Sequence, residues 1–288
     1  MGARHLSSRL GFSAWPAPAK LNLFLHVTGR RADGYHQLQT LFRLVDWGDR
    51  LHLRVRDDDR IRRTTPLPDI AEASDLSLRA ARALQAASGC RLGADIAIDK
   101  RLPFGAGLGG GSSDAATTLV ALNLLWKLGL SVDRLAAIGL QLGADVPVFV
   151  RGHNAWAEGV GEILQPVALP SSWYVIACPE CSVNTGTVFN DASLRRDHPV
   201  VDFADFKAGR CTNVCEPVTR RLFPPVEETF RQFQGLGAAP RLSGTGASVF
   251  AEFSTFEAAE TLRSRWSGPG LCMVTPGLAH SPLLDLVQ

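Results

Sequence analysis

The sequence has no large surplus of charge and no long apolar run, and each absence excludes a class of protein. Its 30 Lys and Arg residues nearly balance its 28 Asp and Glu residues, which leaves a formal net charge of +2. This balance gives no reason to expect a nucleic-acid or membrane surface. No apolar stretch approaches the roughly 20 residues of a membrane-spanning helix. Repeats and low-complexity tracts are also missing from the sequence.

The first twenty residues lack a recognisable targeting signal. MGARHLSSRLGFSAWPAPAK contains no apolar core long enough for a signal peptide. The myristoylation pattern after Gly2 fails because Leu6 occupies the position of the required Ser or Thr. We therefore expect a cytoplasmic protein, and the composition, 45% hydrophobic and 20% charged, is that of a globular one.

Four of the six cysteines follow a spacing that could hold zinc. Cys178 and Cys181 form C-x-x-C, and Cys211 and Cys215 form C-x-x-x-C. However, Cys178 ends the apolar, strand-like run SWYVIAC, and the residues between the two pairs do not resemble a compact zinc ribbon. We therefore favour cysteines that pack as small hydrophobic side chains over a zinc-binding module.

The apolar patterns predict several strands. LNLFLHVTG alternates and ends at a glycine, and TLFRLVDWGDRLHLRVRDD predicts two further strands. Five arginines between residues 54 and 63 surround Asp57, Asp58 and Asp59, which favours a solvated hairpin face. RLGADIAIDKRLP predicts another strand, and the second half adds strands at 173–178, in PRLSGTGASVFAEF and in LCMVTPGL.

The helix signals are clearest where a cap and a stop coincide. The segment 74–89 has Ser74 or Asp75 as N-cap and a glycine as stop. A second helix is expected near 112–128. A third follows at once in SVDRLAAIGLQLG, with Ser131 or Asp133 as its N-cap, and TFEAAETLRSRW predicts one more near the C-terminus.

A change in composition divides the chain near residue 165. QPVALPSS is rich in Pro and Ser, as expected of a linker or a domain crossing. Helices with one apolar face between strands suggest α+β sandwiches. We therefore predict an α+β protein of two domains, residues 1–165 and 166–288.

The stretch PFGAGLGGGSSDAATTL, residues 103–119, contains G-x-G-x-x-G at Gly105, Gly107 and Gly110. A dinucleotide-binding unit would continue into a second parallel strand, but here another helix follows. The preceding strand alternates, whereas a central parallel strand is almost wholly apolar. The Walker motif fails because Gly111 stands where its lysine must be, and the protein-kinase motifs H-R-D and D-F-G are missing.

Anion binding by this segment remains the favoured interpretation without either motif. Five glycines lie within residues 105–111, directly before a helix N-terminus. Glycines let backbone N–H groups approach a phosphate, and the helix dipole favours negative charge. Ser112 and Ser113 add hydroxyls for phosphate or Mg²⁺. The alternative is a loose turn that caps the helix, but so many glycines are costly in chain entropy.

A phosphoryl-transfer enzyme also needs a cation and a group for the acceptor hydroxyl. Lys20 in PAPAKLNLFL and Asp145 in LGADVPVFV are the candidates, although Lys20 could snorkel and Asp145 could cap a turn. The small-residue turn LSGTGASVF places Gly244, Thr245 and Gly246 between apolar runs. This turn is a hairpin bend or closes on a phosphate.

Three segments together resemble the superfamily of galactokinase, homoserine kinase, mevalonate kinase and phosphomevalonate kinase. They are PAPAKLNLFLHVTGRRADGYHQLQT, LPFGAGLGGGSSDAA and LSGTGASVFAEF. ADGYH and LGADVPVFVRG are similar to the branch that phosphorylates 4-diphosphocytidyl-2-C-methyl-D-erythritol in isoprenoid synthesis. The resemblance runs from about residue 15 to the C-terminus.

The resemblance implies an active site in the cleft between two domains, with ATP and Mg²⁺. Asp145 would be the catalytic acid–base group at the 2-hydroxyl, and Lys20 would orient it and the phosphoryl group. The resemblance places the nucleotide on Lys100, Pro103, Phe104, Gly105, Ala106, Gly107, Leu108, Gly109, Gly110, Gly111, Ser112 and Ser113, with Lys100 near the adenine. Gly244, Thr245 and Gly246 would lie near the phosphates.

The same resemblance implies a cytidyl site. Tyr35 would offer a stacking face and His36 hydrogen bonds to the pyrimidine edge. Phe189 would complete the stack, with Thr185 nearby, and Asn22 would contact the methylerythritol part. We expect a monomer or weak homodimer that binds these two small molecules, no nucleic acid and no membrane.

Two positions depart from the family pattern. Asp75 replaces an Asn that contacts adenine, and a carboxylate accepts hydrogen bonds but does not donate them. Ala106 stands where glycine is commoner, which is tolerated if its φ is negative. The alternatives are a kinase for a mevalonate-type or sugar alcohol and a nucleotide-binding regulator without catalysis. Tyr35 and His36 argue against the first, and the retention of Lys20 and Asp145 argues against the second.

Overall fold

The strands of the computed structural model form two sheets, one from each half of the chain. The structure describes residues 11–31, 34, 36–68 and 70–287. The first sheet has the order β3-β4-β2-β5-β6, with β1 paired to β2. Its strands are β1 (Ser13–Arg30), β2 (His36–Arg56), β3 (Ile61–Arg63), β4 (Gly93–Asp99), β5 (Ala155–Glu158) and β6 (Ile163–Pro166).

Strand β1 is buried over most of its length, because its start packs against the helices of the first half and its end packs against the second half of the chain. Its residues 17–27 are all buried rather than alternating. Trp15 and Ala17 belong to the core shared with the helices, whereas Leu25 and Val27 belong to the core of the second half. A strand at the centre of two cores can present its side chains to both.

The described residues of the first half form four helices. They are α1 (Leu76–Ser88), α2 (Gly110–Leu125), α3 (Val132–Leu140) and α4 (Val146–Arg151). Helix α1 begins after Asp75, whose carboxylate accepts from two backbone N–H groups, and ends at Gly89 with φ 67°. Helix α3 is capped by the Ser131 hydroxyl. Both helices agree with the expected caps because these signals are local.

The second sheet has the order β10-β7-β9-β8. Its strands are β7 (Trp173–Cys178), β8 (Arg241–Leu242), β9 (Val249–Phe253) and β10 (Leu271–Pro276). The helices of this half are α5 (Thr185–Asn190), α6 (Phe203–Lys207), α7 (Glu216–Leu222), α8 (Pro224–Gly235) and α9 (Phe256–Ser264), followed by a 3₁₀ turn at Leu284–Leu286. Two sheets, each with its own helices, make the α+β class that the sequence predicts.

The structure corrects two expectations about the first sheet. The segment predicted as two strands is the single strand β2, because Gly48 allows a close approach to β1: a Cβ there would lie 2.2 Å from the Ala17 carbonyl oxygen. The prediction of an arginine-rich hairpin is also wrong. Strand β3 lies beside β4 and parallel to it, and the buried Asp95 on β4 draws Arg54 and Arg56 into ion pairs.

The division at residue 165 stays a prediction, since two segments pack across it. The first sheet ends with β6 and the second begins with β7. However, β1 bonds to the second half through Leu25, whose N–H donates to the Thr212 carbonyl. The C-terminal residues return to the first half, where the Leu278 N–H donates to the Leu44 carbonyl and Leu283 is buried in the core. Among the described helices, none has the length and apolar character needed to cross a bilayer.

Candidate active site

A cavity of about 670 Å³ lies between the two halves. Its lining combines residues from β1, β2, the glycine loop, the start of α4, α5 and the β8–β9 turn. Nineteen residues predicted from the sequence line it: Lys20, Asn22, His36, Lys100, Pro103, Phe104, Gly105, Ala106, Gly107, Leu108, Gly109, Gly110, Gly111, Ser112, Asp145, Thr185, Phe189, Gly244 and Thr245. The folded chain therefore brings together most of the residues chosen for the nucleotide and the acceptor.

Three predicted residues are not part of this described lining. Tyr35 lies outside the described residues. Ser113 is fully buried, and its hydroxyl donates to the Pro18 carbonyl at 2.7 Å, so its side chain braces α2 against β1. Gly246 lies behind the cavity wall, where a Cβ would meet Thr219 at 3.0 Å and Leu242 at 3.2 Å.

The glycine loop needs its glycines for backbone shape and for close contacts. Gly105, Gly107 and Gly109 all have positive φ, between 63° and 74°. At Gly107 a Cβ would lie 2.3 Å from the Ser243 carbonyl oxygen, so a side chain cannot be accommodated. Gly109 is the N-cap of α2, which opens toward the cavity. Backbone N–H groups at such a helix start can bind an anion.

The β8–β9 turn supports the loop from the second half. The N–H groups of Ala247 and Ser248 donate to the carbonyls of Gly105 and Ala106. Ser243 donates through its hydroxyl to the Gly107 carbonyl at 2.9 Å. The turn thus connects two antiparallel strands, as a hairpin bend does, and also fixes the loop.

Lys20 and Asp145 meet at the cavity wall. The Lys20 side chain is 4% exposed, and its Nζ lies 3.3 Å from a carboxylate oxygen of Asp145, which is 34% exposed. Asp145 occupies the N-cap position of α4. Among the described residues its carboxylate caps none of the backbone N–H groups of that helix, so it stays available to the cavity. A buried cation beside an accessible carboxylate can orient that carboxylate toward a hydroxyl group.

Asn22 holds Lys20 in place. Its Oδ1 accepts from Lys20 Nζ at 2.5 Å, and its Nδ2 donates to the Thr40 hydroxyl at 2.9 Å. Lys20 Nζ also donates to the Gly107 carbonyl at 3.2 Å. The Asn22 amide is therefore engaged on both sides, although the residue lines the cavity.

Lys100 forms a second charge cluster behind the loop. Its Nζ donates to Asp49 at 2.5 Å and to Asp114 at 2.8 Å, and lies 5.3 Å from the Phe104 ring centroid. Burial alone would lower the pKa of Lys100, but the carboxylates of Asp114 and Asp49 outweigh it and raise that pKa. Asp49 also accepts from the backbone N–H groups of Arg101 and Leu102, so the cluster fixes the strand end before the loop.

Among the described residues, only one of the two carboxylate oxygens of Asp114 accepts a hydrogen bond. Its Oδ1 is buried with no hydrogen-bond partner among the described residues. Burial raises the pKa of Asp114 to about 7, against the attraction of Lys100 and with the added repulsion of Asp49. Two carboxylates that share one ammonium leave one surplus negative charge, which a proton on Asp114 removes. The sequence places Asp114 in SSDAA, but only the fold shows its partners.

His36 and Phe189 come together from opposite sides of the cavity. Their ring centroids lie 5.2 Å apart at an interplanar angle of 21°. Parallel rings in contact are about 3.5 Å apart face to face, so these rings are offset and part of each face is uncovered. Thr185, at the start of α5, places its hydroxyl 3.2 Å from that of Thr245.

The two departures from the family pattern have structural explanations. The Asp75 carboxylate accepts from the N–H groups of Ser77 and Leu78 and pairs with Arg63 at 3.0 Å. It is therefore engaged in capping α1. Within the described ranges, Lys127 is the one non-glycine residue with positive φ, so Ala106 keeps an ordinary backbone conformation.

The cysteines do not form a metal cluster. All six are free thiols, and burial raises the pKa of Cys178 to about 11 and of Cys215 to about 12, which disfavours the thiolate that zinc requires. Among the described residues no group of three or more His, Cys, Asp or Glu side chains is placed to hold a metal ion.

Two family models match separate parts of the chain, and both represent the same family. The GHMP kinases N terminal domain matches residues 75–153, and the GHMP kinases C terminal matches residues 201–270. The first match contains the glycine loop and Asp145, and the second contains the β8–β9 turn.

Whole-chain comparisons give closer similarity. The 4-diphosphocytidyl-2-C-methyl-D-erythritol kinase of Xanthomonas axonopodis pv. citri (strain 306) is 57% identical over 95% of this chain and 93% of its own. The enzyme of that name from Halorhodospira halophila is 52% identical over 94% and 95%. A crystal structure of 4-(cytidine 5'-diphospho)-2C-methyl-D-erythritol kinase has TM-score 0.76 and 35% identity over 92% of this chain and 99% of its own.

Proposed function

The chain belongs to the 4-diphosphocytidyl-2-C-methyl-D-erythritol kinases of the GHMP kinase family, and we propose that it phosphorylates the 2-hydroxyl of that compound with ATP. The products are the 2-phosphate and ADP. The observation that carries the proposal is the contact between buried Lys20 and accessible Asp145 beside a glycine loop at a helix start.

In the proposed reaction, Asp145 accepts the proton of the 2-hydroxyl. The hydroxyl oxygen forms a bond to the γ-phosphorus, and the bond from that phosphorus to the bridging oxygen of ADP breaks. Lys20 keeps Asp145 oriented, and its ammonium offsets negative charge on the transferring group. Since Asn22 and Gly107 also bind Lys20, the ammonium has little freedom to leave this position.

The glycine loop would hold the phosphates of ATP through its backbone. The N–H groups at the start of α2 and the helix dipole both favour negative charge there. Ser112 lines the cavity at this point, whereas the Ser113 hydroxyl is engaged with Pro18. The resemblance assigns Ser113 to the phosphates, but its hydroxyl instead braces α2 against β1 behind the glycine loop.

Mg²⁺ can bind at a site of this kind together with the nucleotide. Such an ion usually keeps several waters and is held by phosphates with one or two protein oxygens. The hydroxyl of Ser112 is an oxygen donor at the cavity wall and would be its protein ligand. When bound, the ion neutralises charge on the phosphates.

The cytidyl part of the substrate would bind where His36, Phe189 and Thr185 line the cavity. A pyrimidine can stack on an aromatic face and donate and accept hydrogen bonds at its edge. Tyr35 and the contact of Asn22 with the methylerythritol part remain part of the proposal. So do a phosphate-proximal role for Gly244 and Thr245, with Gly246 in the same turn behind the cavity wall, and a position of Lys100 near adenine.

The division of labour between residues 1–165 and 166–288 is likewise proposed. The first part would carry the nucleotide loop, and the second would add Thr185 and Phe189 to the substrate side. A cytoplasmic location and a monomer or weak homodimer also stay predictions.

An assay of ATP consumption over four alcohols tests the proposal. The purified protein is offered the diphosphocytidyl compound, mevalonate, galactose and homoserine with Mg²⁺, and ADP release is measured. We expect turnover with the first alone, and its loss in an Asp145→Asn sample prepared in parallel to detect contaminating kinases. Turnover with another alcohol, and not with the cytidyl compound, would contradict the proposal.

A further inference from the structure

Arg196 contacts both His36, through its ring, and Phe189, through its backbone carbonyl, and the proposed reaction does not use it. Its Nε donates to His36 Nε2 at 3.2 Å. One terminal nitrogen donates to the carbonyls of Phe189 and Asp191, both at 2.8 Å, and the other donates to the Leu194 carbonyl at 3.1 Å. All three guanidinium nitrogens are therefore engaged.

The contact with His36 determines which ring nitrogen carries a hydrogen. A guanidinium only donates hydrogen bonds, so His36 Nε2 must accept with its lone pair. The neutral ring then carries its hydrogen on Nδ1, which can donate to an acceptor. Protonation of Nε2 would break the bond and place two cations together. Burial lowers the pKa of His36, with added repulsion from Arg196 and Arg30, so the neutral form is favoured.

The contacts with carbonyl groups hold the opposite ring. Phe189 lies in the last turn of α5 (Thr185–Asn190), whose final carbonyls lack partners within the helix. Arg196 binds the Phe189 carbonyl and that of Asp191 just beyond it. A cation at a helix C-terminus is also favoured by the dipole. Because His36 begins β2 in the first half, one side chain holds both the His36 ring and the backbone that carries the Phe189 ring on the other side of the cavity.

We propose that Arg196 is a positioning residue for pyrimidine recognition. It holds His36 in the Nδ1–H tautomer and keeps Phe189 parallel to it, so that the pair offers a ring face and one donor. That donor matches an acceptor on cytosine, its ring nitrogen N3 or its carbonyl oxygen O2. The match to cytosine rests on the proposed function, but the tautomer and the placement of the rings do not.

Nitrogen NMR of the histidine rings, without any ligand, tests the tautomer directly. In the wild-type protein we expect His36 to show a protonated Nδ1 and an unprotonated Nε2 at pH 7. The signals are assigned with His36→Gln. In Arg196→Gln we expect mixed tautomers and a higher pKa of His36, because the adjacent cation has gone. Arg196→Lys keeps the positive charge but cannot make the same four hydrogen bonds. We therefore expect this variant to keep the pKa of His36 low but to populate both tautomers of its ring.

Steady-state kinetics test the role in binding, with Arg221→Gln as the matched control. Arg221 braces the same segment by binding Asp191 and Ser193 side chains, but it contacts neither ring. We expect Arg196→Gln to raise KM for the cytidyl substrate about tenfold, as the loss of a hydrogen bond to a charged group does. KM for ATP and kcat should change less than about twofold, and Arg221→Gln should leave all three near wild type.

The outcomes of these experiments separate the role of Arg196 from the proposed function. A wild-type His36 with hydrogen on Nε2, or equal increases of both KM values in Arg196→Gln, overturns the role of Arg196. Equal effects of Arg196→Gln and Arg221→Gln reduce it to loop bracing and also overturn it. A wild-type protein that shows the expected tautomer but phosphorylates none of the cytidyl substrate contradicts the proposed function and leaves the Arg196–His36 contact standing.

Discussion

Two lysines flank the glycine loop, and their surroundings differ although both are buried and paired with acids. Within the described part of the chain, Lys20 Nζ has one carboxylate partner, Asp145, which is about one-third exposed. Lys100 Nζ lies between Asp49 and Asp114, whose side chains are 0% and 5% exposed. The loop itself touches both: a Cβ at Gly109 would lie 3.2 Å from Lys20, and one at Gly110 would lie 3.2 Å from Lys100.

The difference shows how one residue type serves two purposes. A carboxylate that is both oriented by a cation and open to the cavity can take a proton from a substrate. Two buried carboxylates around one ammonium cannot reach a substrate, and they fix the end of β4 and the start of α2 instead. We therefore propose a catalytic role for Lys20 and Asp145, and placement of the loop as the role of Lys100, Asp49 and Asp114.

The largest expected effect is that of Asp145→Asn. Loss of the proton acceptor should lower kcat by roughly 100- to 10,000-fold. The dissociation constant for ATP should change little, because the phosphate-binding N–H groups remain. Single-turnover kinetics and ATP titration measure the two effects. A variant with wild-type kcat would remove Asp145 from the mechanism.

Replacing each lysine by methionine tests the comparison directly. Lys20→Met should lower kcat by about 100- to 1,000-fold, since a charge near the reacting groups is lost. Lys100→Met should instead lower the free energy of unfolding by about 3–5 kcal/mol, because it strands two buried carboxylates. Kinetics and urea unfolding on both variants separate the effects. If Lys100→Met reduced kcat as much as Lys20→Met without loss of stability, the comparison would fail.

The pH dependence of stability tests the cluster around Lys100. The folded pKa of Asp114, raised to about 7, lies above its ordinary value. The folded state therefore holds a proton that the unfolded state releases. This contribution is fully present below about pH 4 and is lost as the pH rises through about 7.

The Asp114→Asn variant lacks this dependence. Between about pH 4 and 7 the wild type should lose stability relative to the variant, by up to about 1.4 kcal/mol for each pH unit. Urea unfolding of both proteins across that range measures the difference. A difference that stays constant with pH would show that Asp114 is ionised throughout.

The smallest effects distinguish the two serines that begin α2 between the lysines. Ser112→Ala should raise KM for ATP about three- to tenfold, with little change in stability. Ser113→Ala should lower the free energy of unfolding by about 1 kcal/mol through the lost bond to Pro18, with KM for ATP unchanged. Thermal unfolding and kinetics on the matched pair check both statements, and the reverse pattern would refute them.

Signals carried by a few adjacent residues predicted the helix ends correctly, whereas the pairing of strands was predicted less well. Asp75, Gly89 and Ser131 cap helices as expected, since a cap depends on a few adjacent residues. The prediction of two strands in one segment was wrong because Gly48 lies inside β2, where it allows the close approach of β1. The predicted hairpin was wrong because β4, which is distant in sequence, lies between β2 and β3 and pairs with both.

The sequence by itself determined the glycine loop, its position at a helix start, and the candidates Lys20 and Asp145. A run of glycines followed by small polar residues has few other conformational uses, so this information is local. Tertiary structure alone decided the partners of Lys100, the inward direction of the Ser113 hydroxyl and the bond from Arg196 to His36. Arg196 and His36 are 160 residues apart in sequence, as Lys100 and Asp49 are 51 apart. Such contacts depend on how the whole chain folds around its hydrophobic cores, which no short segment specifies.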